Sequence, residues 1–198
     1  MVRRAPGERR LEILQHLAAM LEAPHPEKIT TAALAVRVGV SEAALYRHFA
    51  SKAQMYDGLI EFIESSLFGL INRIASEQAA GLEQVRAMVQ LLLGFAEKNR
   101  GLCRVLTSEV LLHENPRLSA RVGQLLDRIE ASLRQALRMA ASQGAVSGDV
   151  EAGMAANLLL AYVQGRWQQY ARSGFARRPT EHWSAQWAVL ARALGPAA

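Results

Sequence analysis

The chain has 198 residues, 51% of them hydrophobic, which is enough to bury a real core in one or two compact domains and too apolar for a disordered tail. Its single cysteine, Cys103, excludes an intrachain disulfide framework and a cysteine-built zinc site, and suits a reducing compartment. The formal charge of +5 is compatible with a polyanionic partner without requiring one, and no apolar run reaches the roughly 20 residues needed to span a bilayer.

The basic start MVRRAPGERR leads into LEILQHLAAMLEA, where Leu11, Leu14, Leu17, Ala18 and Leu21 recur at steps of three and four. That is the stripe of an amphipathic helix rather than a signal-type apolar stretch, so a cytoplasmic location is the expectation. Pro24 and Pro26 stop this helix, because proline lacks the helical N–H and restricts the residue before it. A longer helix starts at Ser51, whose hydroxyl caps it while Gln54 reaches back in a capping box, and runs to about Ser76.

LEQVRAMVQLLLGFAEKN is apolar at Leu82, Val85, Met88, Val89, Leu92 and Phe95, and the spacing predicts a helix ending near Gly101 in a left-handed cap. A short helix over 105–112 follows. Asn115 and Pro116 then open a long one to about Ser142, since asparagine caps and proline fits the first helical position. SQGAVSGDV is a loop; Asp149 caps a helix to about Ser173 and Thr180 caps the last, to about Leu194. No stretch has a strand period, so the fold class is all-α.

The stretch ITTAALAVRVGVSEAALYRHF carries the most local information. Thr30 or Thr31 caps a short helix whose Leu34 and Val38 point inward, with Ala35 small enough for a second helix to cross closely. Gly39 supplies the turn, Val40 fills the corner, and Ser41 caps a second short helix with Leu45 and Phe49 on its inner face. This is helix-turn-helix spacing. Glu42, Ala43, Ala44, Tyr46, Arg47 and His48 are left on or near the outer face, where a recognition helix meets the major groove. Arg3, Arg4, Arg9, Arg10 and Lys52 flank the motif, at positions from which cations could neutralise phosphates.

The segment from Ile29 to Lys52 resembles the DNA-binding domain of the TetR family of bacterial regulators, all-helical homodimers with an N-terminal three-helix helix-turn-helix domain and a C-terminal helical dimerisation and regulatory domain. The resemblance implies a division into residues 1–52 and 53–198. LEILQHLAAMLEA, the run from Ile29 to Leu67, LLLGFAEKNRGLCRVL, RIEASLRQALR and SGFARRPTEHW further resemble the branch of that family that acts in nucleoid occlusion. Members of that branch bind palindromic chromosomal sites as homodimers, with two dimers on one site within their reach. Bound to DNA, they engage the C-terminal tail of the division protein FtsZ and oppose Z-ring assembly over the nucleoid.

Carried onto this chain, the resemblance implies DNA contacts from Thr30, Thr31, Ser41, Ala43, Tyr46, Arg47, His48 and Lys52, with Tyr46, His48 and Lys52 on phosphates. It implies an FtsZ-tail groove at Phe62, Leu91, Gly94, Lys98 and Asn99, no cofactor, and a nucleoid-associated location. Leu91, Gly94 and Lys98 do share one face of a helix, and a mid-helix glycine costs about 1 kcal/mol relative to alanine, which a closely approaching backbone would explain. Helix-to-helix packing is the competing explanation. Lys98 and Leu70 stand where the resemblance leads one to expect arginines, and lysine keeps the charge without the planar fork.

Two other functions follow from the same residues. A ligand-responsive repressor of the wider family would enclose a pocket, for which Met139, Met154, Trp167 and Tyr170 are candidates against a core role. An enzyme is not expected: Cys103 is a lone thiol, and adjacent His113 and Glu114 do not share a helix face for a metal. Trp167, Trp183 and Trp187, on the apolar C-terminal helices, are either dimer-interface anchors or core.

Overall fold

The computed structural model describes residues 6–23, 29–77, 81–111 and 114–195, and among them all regular structure is helical. Pro24 and Pro26, the expected stop of the first helix, lie outside the described residues, as do Arg3, Arg4 and His113. Helix α1 (Pro6–Met20) begins before and ends before the expected stretch, its last turn tightened by the Leu21 amide bonding to the Leu17 and Ala18 carbonyls. Helices α2 (Thr31–Val38) and α3 (Glu42–Tyr46) follow, and then α4 (Lys52–Glu77), capped by the Ser51 hydroxyl on the Gln54 amide. The Gln54 side chain returns to the Ala50 amide, one residue earlier than a capping box requires.

Helix α5 (Leu82–Lys98) ends differently from expectation. Asn99, with φ −128° and ψ 68°, breaks it, and α6 (Arg100–Leu106) begins at once. Gly101 is therefore not a left-handed cap but lies inside α6, where an added Cβ would come within 2.0 Å of the Ala18 carbonyl oxygen of α1. Its smallness serves a helix crossing. The expected helix over 105–112 is thus replaced by α6 and a 3-10 turn at Glu109–Leu111.

Helix α7 (Pro116–Ser142) starts as expected, with the Asn115 side chain accepting from the Arg117 amide. Helix α8 (Ala152–Arg172) is capped by Glu151, not Asp149: its carboxylate accepts from the Gly153 and Met154 amides at 2.7 and 2.6 Å. Helix α9 (Trp183–Leu194) is likewise not capped by Thr180, whose hydroxyl donates instead to the Glu97 carboxylate. Sequence supplies the cap-competent residue types, but tertiary neighbours decide which one is used.

Helix α5 packs against α4, α6, α7, α8 and α9, and α7 pairs most extensively with α8. All three tryptophans are buried within their own chain, Trp167 donating its indole N–H to the Leu92 carbonyl at 3.0 Å and Trp183 lying 5.3 Å from Trp187. The exposed large side chains of α8 and α9 are instead Met154, Leu158 and Val189. Among the described residues no helix is long and apolar enough to cross a membrane.

The helix-turn-helix of α2 and α3 is held to the rest through α1. A Cβ on Gly58 of α4 would meet both Leu14 methyl groups of α1 at 3.2 Å, and Gly101 admits the α1 backbone on the α6 side. Arg104 reaches from α6 to the Ala23 carbonyl at 2.9 Å and lies over the Phe175 ring. Helix α1 is therefore clamped between α4 and α6.

Candidate DNA face and partner groove

The helix-turn-helix forms from the caps the sequence carries. The Thr30 hydroxyl accepts from the Ala33 amide at 3.1 Å and the Ser41 hydroxyl from the Ala44 amide at 3.2 Å. Gly39 has φ +74°, the left-handed conformation that lets α2 turn into α3. Leu34, Ala35, Val38, Leu45 and Phe49 are buried, and Val40 packs partly against them.

That burial leaves one outer face. Thr30, Ser41, Ala43, Tyr46 and Arg47 are exposed, with Thr31 and His48 half-buried. The Thr31 hydroxyl donates to the Glu42 carboxylate at 2.5 Å, and the Tyr46 hydroxyl points to Thr31 Oγ1 at 3.5 Å, long for a hydrogen bond. Arg9 and Arg10 are engaged within the chain. Arg9 pairs with Glu12 at 2.8 Å, while Arg10 donates to the His48 carbonyl at 3.1 Å and stacks on the Phe49 ring at 4.2 Å. Arg10 thus ties α1 to the end of α3. Lys52 is half-buried in an ion pair with Glu114 and lies 5.7 Å from the Tyr56 ring centre. Burial, reinforced by the Glu114 charge, pushes the Tyr56 hydroxyl well above its ordinary pKa, so it stays protonated.

A second feature lies on α5. Leu91, Gly94, Lys98 and Asn99 line one groove of about 580 Å³, together with Leu70 of α4 and Thr180. A Cβ at Gly94 would meet nothing within 4 Å, so helix packing does not account for this glycine. Phe62 lies outside that groove, in an adjoining apolar hollow of about 210 Å³ against Leu11, Leu14 and Ala18 of α1. Asn99 lines both. The structure therefore brings together four of the five partner-binding candidates and links the fifth through a shared wall.

Residues missed in the sequence complete the groove. Ala87 and Gln90 fall at helical spacing with Leu91, Gly94 and Lys98, and extending that face would have found them. Glu97 and Thr180 carried no such signal, being 83 positions apart, yet the Thr180 amide and hydroxyl both donate to the Glu97 carboxylate and fix the groove wall. The pocket candidates for a ligand-responsive repressor do not assemble. Trp167 and Tyr170 are core residues bonded to the Leu92 and Glu97 carbonyls, whereas Met139 and Met154 are exposed, Met139 lining a cleft between α4, α5 and α7 that the other three do not line.

Residues 19–59 match the tetR family of bacterial regulatory proteins, and residues 80–195 match a tetracyclin repressor-like C-terminal domain of SlmA type. The nucleoid occlusion factor SlmA of Marinomonas sp. (strain MWYL1) is 50% identical over 188 residues, 95% of each chain. That of Idiomarina loihiensis is 51% identical over 186 residues, 94% of this chain and 95% of its own.

The chain belongs to the SlmA family. Solved TetR-type regulators show the same fold at lower identity. One from Haloarcula marismortui superposes with a TM-score of 0.81 at 17% identity, covering 96% of this chain and 99% of its own. One from Chloroflexus aurantiacus gives 0.76 at 21%, covering 94% of each. The helix-turn-helix of this SlmA-family chain is accordingly a TetR-type DNA-binding domain.

Proposed function

We propose that this chain acts in nucleoid occlusion, binding palindromic chromosomal DNA as a homodimer and, in that state, holding the C-terminal tail of FtsZ to oppose Z-ring assembly. Thr30, Ser41, Ala43, Tyr46 and Arg47 face the duplex; Lys52 joins them once phosphate displaces Glu114. Two recognition helices of a dimer sit about one helical turn, roughly 34 Å, apart on a palindrome. The dimer forms through α8 and α9, where the large apolar side chains of Met154, Leu158 and Val189 are exposed.

One observation carries the partner half of this reading: Leu91, Gly94, Lys98 and Asn99 share a groove, and the helix glycine in it has open space above its backbone. An extended or helical tail draws its affinity there from buried apolar side chains, with Lys98 at one end to meet a carboxylate. DNA can strengthen that binding only by favouring a conformation with higher tail affinity. Helices α1 and α4 both run from the DNA-binding unit to the hollow at Phe62, and Arg10 fastens α1 to the recognition helix.

The test is fluorescence anisotropy of a labelled FtsZ tail peptide titrated with the chain, with and without a palindromic duplex from the host chromosome. Binding that strengthens on adding duplex is the expected result. An affinity unchanged by duplex would refute the coupling. No tail binding in either condition, with the duplex still bound, would refute the partner and favour a small-molecule effector. The cleft of about 540 Å³ between α4, α5 and α7, lined by Asn72, Gln84, Ser132 and Gln135, is the place to seek one.

A further inference from the structure

Glu42 is an anomaly on the DNA face. It is exposed at the start of the recognition helix, beside Ala43 and one turn before Tyr46 and Arg47, and among the described residues it forms no ion pair. An unpaired carboxylate brought against phosphates is repelled, so its presence weakens binding to any duplex unless it contributes something there.

The structure shows how it is held. The Thr31 hydroxyl donates to Glu42 Oε1 at 2.5 Å, with the Tyr46 hydroxyl behind Thr31. A hydroxyl has one proton to give, and Thr31 gives it to Glu42 rather than leaving it for a phosphate. Thr31 therefore orients the carboxylate, while Glu42 Oε2 and the remaining lone pairs stay free to accept. The neighbours Ala43 and Ala44 are small enough to let a base edge approach.

We propose that Glu42 is a specificity-determining residue that accepts a hydrogen bond from the exocyclic amino group of a cytosine in the major groove. Carboxylates suit that donor because cytosine N4, with one proton paired to guanine O6, turns its other proton into the groove and has no acceptor beside it on the same base. Adenine places N7 beside its amino group and so repels a carboxylate, whereas guanine and thymine present only acceptors at these positions. The charge thus weakens binding to every duplex lacking the cytosine. This inference rests on the DNA-binding half of the reading above and not on the partner groove.

The experiment is selection of bound duplexes from a randomised library by the full-length chain, followed by affinities for every single-base variant of the selected site, with wild type, Glu42→Ala and Glu42→Gln. Wild type is expected to prefer C·G at one position in each half-site. Glu42→Ala should lose roughly 5- to 150-fold discrimination at that position alone. Glu42→Gln should shift the preference there toward adenine, which a glutamine amide contacts through N6 and N7 together. Tighter binding of both variants to all duplexes alike, with every base preference unchanged, would overturn the proposal and leave Glu42 as a repelled surface charge. A wild-type chain that selects no sequence would overturn it together with palindrome recognition.

Discussion

Gly94→Ala tests the proposed tail site at a position where the fold has room for the change. The alanine adds a methyl group that meets nothing within 4 Å, on a helix that is not at a turn and has no positive φ. Helix propensity alone then stabilises the variant by about 1 kcal/mol. For a chain of this length that raises Tm by roughly 2–4 °C, measured by thermal unfolding at fixed protein concentration because the proposed dimer would make Tm concentration-dependent. If a peptide lies along the groove floor, the same methyl forces it outward at roughly 1–3 kcal/mol, weakening tail binding about 5- to 150-fold in the anisotropy titration. Gly101→Ala is the internal control. Its methyl would sit 2.0 Å from the Ala18 carbonyl oxygen, so it must push α1 off α6 and lower Tm. A Gly94→Ala chain with a raised Tm and unchanged tail affinity would refute the groove as the tail site, and a lowered Tm would refute the packing account itself.

Three further predictions concern groups already engaged within the chain. On the proposed reading Lys52 exchanges Glu114 for a phosphate on binding, so Lys52→Gln should flatten the slope of log affinity for duplex against log salt by roughly 0.9, the value of one phosphate contact, in anisotropy titrations across a salt series. An unchanged slope would mean that Lys52 never reaches the backbone. Burial pushes the Cys103 thiol up to about 12, the effect of Arg104 being smaller, so it should resist alkylation at pH 8.5 until denaturant is added. The Glu151 carboxyl is held below its ordinary pKa, first by the Gly153 amide and then by that of Met154. A depressed folded-state pKa gives stability that is present above the unfolded value and lost as pH falls through the folded one. Glu151→Gln should therefore flatten the acid limb of the stability profile, and an identical limb in the variant would rule out the cap as its source.

What could be read from the sequence divides along the range of the forces involved. Thr30, Ser41 and Asn115 cap the helices expected of them because each bond reaches only two or three residues ahead. Gly39 was legible for the same reason: the turn it makes is local, and only its own φ is at stake. Gly101 departs from the expected cap because the same residue type answers two different demands, a left-handed backbone or a close crossing, and only the position of Ala18 tells them apart. Thr180 departs from the expected cap because its amide and hydroxyl both donate to the Glu97 carboxylate, a charged acceptor far away in sequence, which turns the residue toward α5 rather than toward the amides of α9. The tryptophans could not be assigned at all from their helical spacing, since an apolar face records that something covers it and not whether the cover comes from the same chain.

The groove illustrates both limits at once. The face formed by Leu91, Gly94 and Lys98 follows from helical periodicity, yet its openness does not, because α5 is otherwise enclosed by its neighbours. What keeps that face clear is distant in sequence: Thr180, anchored on Glu97, stands at its edge, and Asn99 ends α5 so that α6 leaves in another direction. A helix at the centre of a bundle that still exposes a glycine has been kept open by its surroundings. That is the reason to look for its occupant outside the chain.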